Sequence, residues 1–300
     1  MPVVELAGIT KAYETKVAVR DLSLTIEAGQ MFGLLGPNGA GKTSSIRMMM
    51  GITMPDSGSV RLFERPFERK SLERVGYLPE ERGLYKKMKV LEQLIFFGEL
   101  HGLSAHDARQ RANAWTRRLE IDDVLEKKTE ELSKGMQQKI QFIGSLLHEP
   151  GLIVMDEPFS GLDPVNAQLL EKTLLELKDE GRAIVFSTHR MDQVEKLCDS
   201  ICLINKGEAV LSGRVREIKS RYERSHIQVE FEGSADFLQS AEIAEAKNFS
   251  GHAEIKLKPH GNAQKLLAEA AAHATIYRFE LMEPSLEEIF ISTVGGKVDA

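Results

Sequence analysis

Gly36-Pro37-Asn38-Gly39-Ala40-Gly41-Lys42-Thr43 fits the pattern G-x-x-x-x-G-K-[ST], and the fold is read outward from it. The run follows the apolar stretch Met31-Phe32-Gly33-Leu34-Leu35 and precedes a helix-like stretch from Ser44 to Met50. That strand–loop–helix setting is what a phosphate-binding loop needs. Its glycines let consecutive N–H groups turn inward as an anion nest, and the helix N-terminus adds the positive end of its dipole. Gly36, Pro37, Asn38, Gly39, Ala40, Gly41, Lys42, Thr43 and Ser44 are therefore candidate phosphate-binding residues. Lys42 can reach the β- and γ-phosphates of a nucleotide, and the Thr43 hydroxyl can ligate Mg²⁺. A Gly-rich turn that happens to contain Lys-Thr is the plain alternative; the complete motif in its context weighs against it.

A second stretch supplies the acids such a loop requires. Leu152-Ile153-Val154-Met155 reads as a short buried strand ending in Asp156-Glu157. An acid at the C-terminal edge of a central strand is placed to hold Mg²⁺, usually through water. The adjacent Glu157 is the candidate general base that polarises the attacking water.

Around these motifs strands and helices alternate. Val3–Leu6 and the alternating Leu22, Leu24 and Ile26 read as strands, as does Ser57–Phe63 after its turn. Residues 90–119 are helical in pattern, with Leu91, Leu94, Ile95, Leu100, Trp115 and Leu119 as candidate core positions. A further helix is expected over 134–148, stopping before Pro150, and another over 164–179 with Pro at its first turn. Ala183–Phe186, Ile201–Ile204 and Glu208–Leu211 continue the strand series. Continuous apolar strands bounded by helices argue a mainly parallel sheet covered on both faces. The rhythm changes near 214–226: alternating strands at 226–231, 254–257 and 275–279, with helices near 262–272 and 285–293, predict a small two-layer α+β domain.

Composition narrows the function class. Of 300 residues, 42% are hydrophobic and 28% charged, ordinary for a globular chain. A net charge of −6 gives no electrostatic case for a nucleic-acid partner. The basic stretch from Arg214 to Arg224 carries interleaved acids and reads as a solvated helix face. No apolar run approaches the roughly 18–20 residues of a membrane span, and Met-Pro-Val-Val-Glu is not a secretory start. Cys198 and Cys202 lack enough neighbouring ligands for a zinc site and read as buried thiols. Met48, Met49 and Met50 read as core. The expected location is cytoplasmic.

Leu132-Ser133-Lys134-Gly135-Met136-Gln137-Gln138-Lys139 decides the family. Here the chain resembles the ATP-binding cassette (ABC) ATPases, whose signature is Leu-Ser-Gly-Gly-Gln; Lys134 and Met136 depart from it. Ser160-Gly161-Leu162-Asp163-Pro164 matches the family's D-loop, Ser187-Thr188-His189 its switch-histidine segment, and Tyr13 the aromatic that stacks on adenine. In Gly76-Tyr77-Leu78-Pro79-Glu80-Glu81-Arg82-Gly83-Leu84-Tyr85, Glu80 stands where most relatives carry Gln. A carboxylate ligates Mg²⁺ at least as well as an amide. This run, with Leu-Ser-Lys-Gly-Met-Gln-Gln-Lys and the ending Glu283–Phe290, is similar to a prokaryotic branch linked to sodium, drug or peptide efflux that carries a C-terminal accessory domain.

The resemblance implies the P-loop NTPase ABC fold: a mainly parallel α/β sheet with an antiparallel β subdomain and a helical subdomain at about 86–150. The nucleotide domain would span 1–221 and the accessory α+β domain 222–300. It further implies a homo- or heterodimer with two Mg²⁺-ATP at the interface, Ser133 and Gly135 of one subunit meeting the γ-phosphate held by the other. Asp163 would couple the two sites and His189 hold the water–Glu157 geometry. Integral membrane permease subunits would carry the cargo, placing this chain on the inner face of the membrane, and export is the direction favoured. Three rivals remain. A nucleotide-gated regulatory or immunity subunit would have no need of the Glu157–His189 pair. A soluble repair or translation ATPase would carry a coiled-coil insertion or a fused second cassette. A small-molecule P-loop kinase would leave 132–139 and 160–164 unexplained.

Overall fold

A computed structural model describes residues 1–295 apart from Thr15, Arg82 and Glu223. Arg82 of the Pro79–Tyr85 run and Glu223 of the basic stretch therefore lie outside the described residues. The chain forms two compact units, residues 1–214 and residues 215 onward.

In the first unit the elements run β1 (Pro2–Tyr13), β2 (Lys16–Glu27), β3 (Met31–Leu35), α1 (Lys42–Met49), β4 (Ser57–Leu62), β5 (Arg65–Pro66) and β6 (Val75–Leu78). Helices α2 (Val90–Leu100), α3 (Ala105–Arg118) and α4 (Lys134–Leu146) follow. Then come β7 (Leu152–Asp156), α5 (Pro164–Asp179), β8 (Ala183–Thr188), α6 (Met191–Leu197), β9 (Ser200–Asn205) and β10 (Glu208–Arg214). Strands β2-β1-β4-β5 make an antiparallel sheet, and β10-β9-β3-β8-β7-β6 a second sheet that is parallel except for β10.

The two sheets share a core. Successive side chains of a strand point to opposite faces, so Phe32, Leu34, Val154, Val185 and Ile204 turn one way. They pack with Val4, Leu6, Leu22, Ile26 and Leu62 of the antiparallel sheet and with Ile46, Met48 and Met49 of α1. Met31, Ile153, Met155, Ile184 and Phe186 turn the other way and are equally buried. The parallel strands thus have no solvent face, which is why they read as unbroken apolar runs.

The helical stretch at 90–119 is two helices. Gly102, at φ 84°, ends the first, and Ser104 caps the second by accepting from the Asp107 N–H at 3.1 Å. Leu100 was expected in the core but is 67% exposed at that break. Leu94 is buried as expected, and beside it so is a polar residue: Gln93 accepts from the Tyr85 N–H at 2.5 Å and donates to the Thr129 hydroxyl at 3.1 Å.

The second unit comprises α7 (Val215–Ser220), β11 (His226–Gly233), β12 (Ile243–Phe249), β13 (His252–Leu257), α8 (Ala263–His273), β14 (Ala274–Met282) and α9 (Leu286–Gly295). Its antiparallel sheet has the order β12-β13-β11-β14, with α8 between β13 and β14 and a 3-10 turn at Asp236–Gln239 between β11 and β12. This is a split βαββαβ arrangement whose first helix has shrunk to one turn. Ile227, Val229, Phe231, Ala253, Ile255 and Leu257 form its core with Leu266 and Ala270 of α8. Strand β12 escapes the sequence pattern because it is an edge strand with exposed Glu245, Lys247 and Asn248.

One stacked histidine pair in the first unit makes stability pH-dependent. The rings of His101 and His148 stack at 3.8 Å and 4°. His148 Nε2 lies 3.1 Å from the Val75 carbonyl, so Nε2 carries the proton, while Nδ1 is buried without a partner among the described residues. Burial, with His101 second, pushes the His148 pKa down to about 4. A histidine held neutral loses nothing above its ordinary pKa near 6.5 but loses stability as pH falls from there toward 4, because only the unfolded chain takes up the proton. Urea titrations of wild type and His148→Phe should therefore diverge across that window. The wild type should lose on the order of 1–2 kcal/mol more, after allowance for solvent screening.

Candidate functional site

The site is assembled at the C-terminal ends of the parallel strands, where open α/β sheets bind ligands. Leu35 pairs with Thr188, and Asp156 with Ser187, so the start of the glycine-rich loop, Asp156 and the Thr188–His189 exit stand level. Two glycines are dictated by close approach. A Cβ on Gly36 would lie 2.1 Å from the Ile204 carbonyl, and one on Gly41 would lie 2.4 Å from that of Ala18. Both residues also have positive φ, 147° and 115°. Gly41 opens α1, and no side chain caps that helix, so its first N–H groups are left for an anion. Around the loop lies a cavity of about 510 Å³ lined by Tyr13, Lys16, Ala18, Asn38, Gly39, Ala40, Gly41, Lys42, Thr43, Ser44, Glu80, Asp156 and Glu157.

Lys42 is buried, and its ammonium donates to the carbonyls of Gly36 at 2.7 Å and Pro37 at 3.2 Å. Burial pulls its pKa down, opposed by the carboxylates of Glu157, Asp156 and Glu80. Gly36 and Pro37 thus serve the site through their carbonyls and do not line the cavity. Tyr13 closes β1 at the rim, 42% exposed, its ring 5.8 Å from the Lys11 ammonium.

The acids are held apart in role. Asp156 is 1% exposed; one of its oxygens accepts from the Ser187 hydroxyl, while Oδ2 is buried with no partner among the described residues. Glu157 follows at φ 50°, an uncommon backbone state for a side-chain-bearing residue. Its N–H donates to the Ser187 carbonyl at 3.1 Å, and its Oε2 accepts from the Thr188 hydroxyl at 3.1 Å. Its Oε1 is 2.9 Å from Nδ1 of His189. Facing a carboxylate, Nδ1 carries the proton, which directs Nε2 away as the free edge of a ring that is 58% exposed.

A divalent cation fits this donor set. The orphaned Asp156 Oδ2, with Thr43 and Glu80 on the same cavity, offers hard oxygen donors of the kind Mg²⁺ takes. Among the described residues no three His, Cys, Asp or Glu side chains form a ligand set alone, so phosphate oxygens and water would complete it.

Ser133, Gly135 and Asp163 lie elsewhere. Ser133 caps α4 by accepting from the Met136 N–H at 3.2 Å. The Cα of Gly135 faces the D-loop: a Cβ there would sit 3.5 Å from the Gly161 carbonyl. Asp163 caps α5 by accepting from the N–H groups of Val165 at 3.1 Å and Asn166 at 3.0 Å, and the Asn166 bond leads in drawing its pKa down. These three form a second surface, and none lines the cavity of its own chain.

Three contributors escape the sequence. Lys16 and Ala18 reach the cavity only because β2 returns beside Tyr13. Gln141 of α4 donates to the carbonyls of Pro79 at 3.4 Å and Glu81 at 3.1 Å, clasping the backbone on both sides of Glu80. No short stretch of sequence signals this clasp, since Gln138, Lys139 and Ser145 of the same helix are buried polar residues too. Cys198 and Cys202 are buried free thiols, with burial pushing the Cys202 pKa up to about 12.

Known proteins resemble this chain in sequence and fold. A profile of the ABC transporter family matches residues 19–160, and that of the C-terminal domain of DrrA1-3-like ATP-binding proteins matches residues 213–294. The uncharacterized ABC transporter ATP-binding protein YhaQ of Bacillus subtilis is 43% identical over 289 residues, covering 96% of this chain and 97% of that protein. The Nod factor export ATP-binding protein I of Burkholderia lata is 35% identical over 218 residues, 71% of this chain and 72% of that protein. A solved ATP-binding subunit of an ABC transporter superposes with a TM-score of 0.68 at 28% identity, covering 73% of this chain and 92% of that one.

Proposed function

The chain belongs to the ABC transporter ATP-binding subunits, and from that premise we propose that two such subunits clasp Mg²⁺-ATP between them and drive a membrane permease by hydrolysing it. One observation carries the reading. The cavity around Lys42 and the capped face of Ser133, Gly135 and Asp163 are both formed in one chain, yet they are separate surfaces. An anion-binding helix start that never meets its own nucleotide is explained by a second copy, or a paralogue, turned head to tail.

In this reading Lys42 and the loop N–H groups hold the phosphates, Tyr13 stacks on adenine, and Thr43, Glu80 and Asp156 hold Mg²⁺. Bound Mg²⁺ would neutralise charge on the phosphates and align them. Glu157 takes the proton of the attacking water, and His189 keeps that carboxylate aimed. Thr188 fixes its second oxygen.

The partner would dock in a groove of about 340 Å³ beside the Pro79–Glu81 turn, lined by Met50, Leu72, Tyr77, Leu84, Phe97 and Leu100 among others. The exposure of Leu100 has its use there. No helix among the described residues is long and apolar enough to cross a membrane. The chain would therefore act as a peripheral subunit on the cytoplasmic face of a separately encoded permease. Export is favoured by the relative named for Nod factor export. Residues 1–221 would form the ATP-binding domain, with its helical subdomain at about 86–150, and residues 222–300 the accessory domain.

Dimer-dependent chemistry leaves a kinetic mark. Specific ATPase activity should rise with protein concentration and then level off as the dimer saturates. Activity per molecule that is constant down to nanomolar dilution would contradict the shared site.

A further inference from the structure

The nucleotide cavity is lined by three carboxylates, Glu80, Asp156 and Glu157, against two lysines, Lys16 and Lys42. A lining of net negative charge opposes a bare triphosphate, itself a polyanion, unless a cation enters with it. These acids are held in different ways. Asp156 and Glu157 are held by Ser187, Thr188 and His189, whereas Glu80 sits on the turn after β6. The buried Gln141 clasps that turn at the carbonyls on either side of it, so the Glu80 backbone is fixed with its residue on the cavity wall. Asp156 Oδ2 is the complementary feature: a buried oxygen on the same cavity with no partner among the described residues, suited to a cation.

We propose that Glu80 is a charge filter that makes nucleotide binding depend on a divalent cation, repelling the metal-free triphosphate and admitting the metal complex. This rests on the ATP-binding reading and deepens it: the substrate is the metal–nucleotide complex, and Glu80 enforces the distinction. Glu81, one residue on, carries the same charge but does not line the cavity, which makes it the natural control.

The test is a calorimetric titration of full-length wild type, Glu80→Gln and Glu81→Gln with a non-hydrolysable ATP analogue, at low ionic strength, once with Mg²⁺ and once with EDTA. Because Glu80 is exposed to solvent, the metal-free Kd should fall about tenfold in Glu80→Gln, since the repulsion acts on the bare triphosphate. It should stay unchanged in Glu81→Gln. An unchanged metal-free Kd in Glu80→Gln, with any change confined to the Mg²⁺ titration, or an equal fall in both variants, would overturn the filter while leaving ATP binding intact. A wild type that binds the analogue in neither buffer would overturn both readings.

Discussion

Glu157→Gln should lower ATP hydrolysis by about 100-fold or more, the usual worth of a positioned general base, while leaving ATP affinity within about threefold. The side chain is not a phosphate ligand in this geometry. Its two oxygens are held by Thr188 and His189, and an amide of the same shape can accept from one of them but cannot take a proton from water. The backbone at φ 50° is as uncomfortable for Gln as for Glu, so the substitution should not disturb the turn. With cleavage stopped and binding kept, the closed ATP-bound dimer should accumulate in a sizing column. Rates measured under saturating ATP decide the matter, and hydrolysis that persists at the wild-type rate would remove Glu157 from the role.

Lys42→Ala should act at the earlier step and cost about 100-fold or more in ATP affinity, since hydrogen bonds to a charged partner are each worth roughly 1.5–3 kcal/mol. The ammonium is buried and already placed at the loop, resting on the Gly36 and Pro37 carbonyls. Those contacts hold the loop's shape until phosphate oxygens replace them. Burial pulls the Lys42 pKa down, and three carboxylates oppose that pull. Removing it leaves a cavity whose lining is more negative still. A fluorescent-nucleotide titration measures the loss, with circular dichroism to confirm the fold. An unchanged affinity would show that the N–H groups of the loop suffice.

Much of this site was legible in the sequence because its constraints are local. The glycine-rich loop, the Asp156-Glu157 strand end and the Ser133 cap each need a few consecutive residues, and periodicity placed the strands and helices that carry them. Contacts set by tertiary packing were not legible. Lys16 enters the cavity through the return of β2, and Gln141 reaches the Glu80 turn across the interval between α4 and β6. Neither shows in any short window. The exposure of Leu100 and the burial of Gln93 share that cause: helix periodicity marks an apolar face but does not show that a groove is left open or that a buried amide will find two partners. Strand β12 was hidden because an edge strand carries polar residues on its solvent side.

His189 sharpens what the geometry requires of the working cycle. Its Nδ1 proton is committed to Glu157, so a neutral ring can only accept at Nε2. To donate to a phosphate it must become an imidazolium or release Glu157. In the second case the contact that aims the carboxylate is lost, so aiming Glu157 and donating to a phosphate are competing tasks for one neutral ring.

A shared site requires the helix start at Ser133 to serve a nucleotide that its own chain does not hold. The structure of the Glu157→Gln protein saturated with Mg²⁺ and ATP tests this most directly. Ser133 and Gly135 of one subunit should lie within hydrogen-bonding distance of the γ-phosphate bound at Lys42 of the other. Two filled cavities whose γ-phosphates face solvent, with both Ser133 residues remote from them, would contradict it.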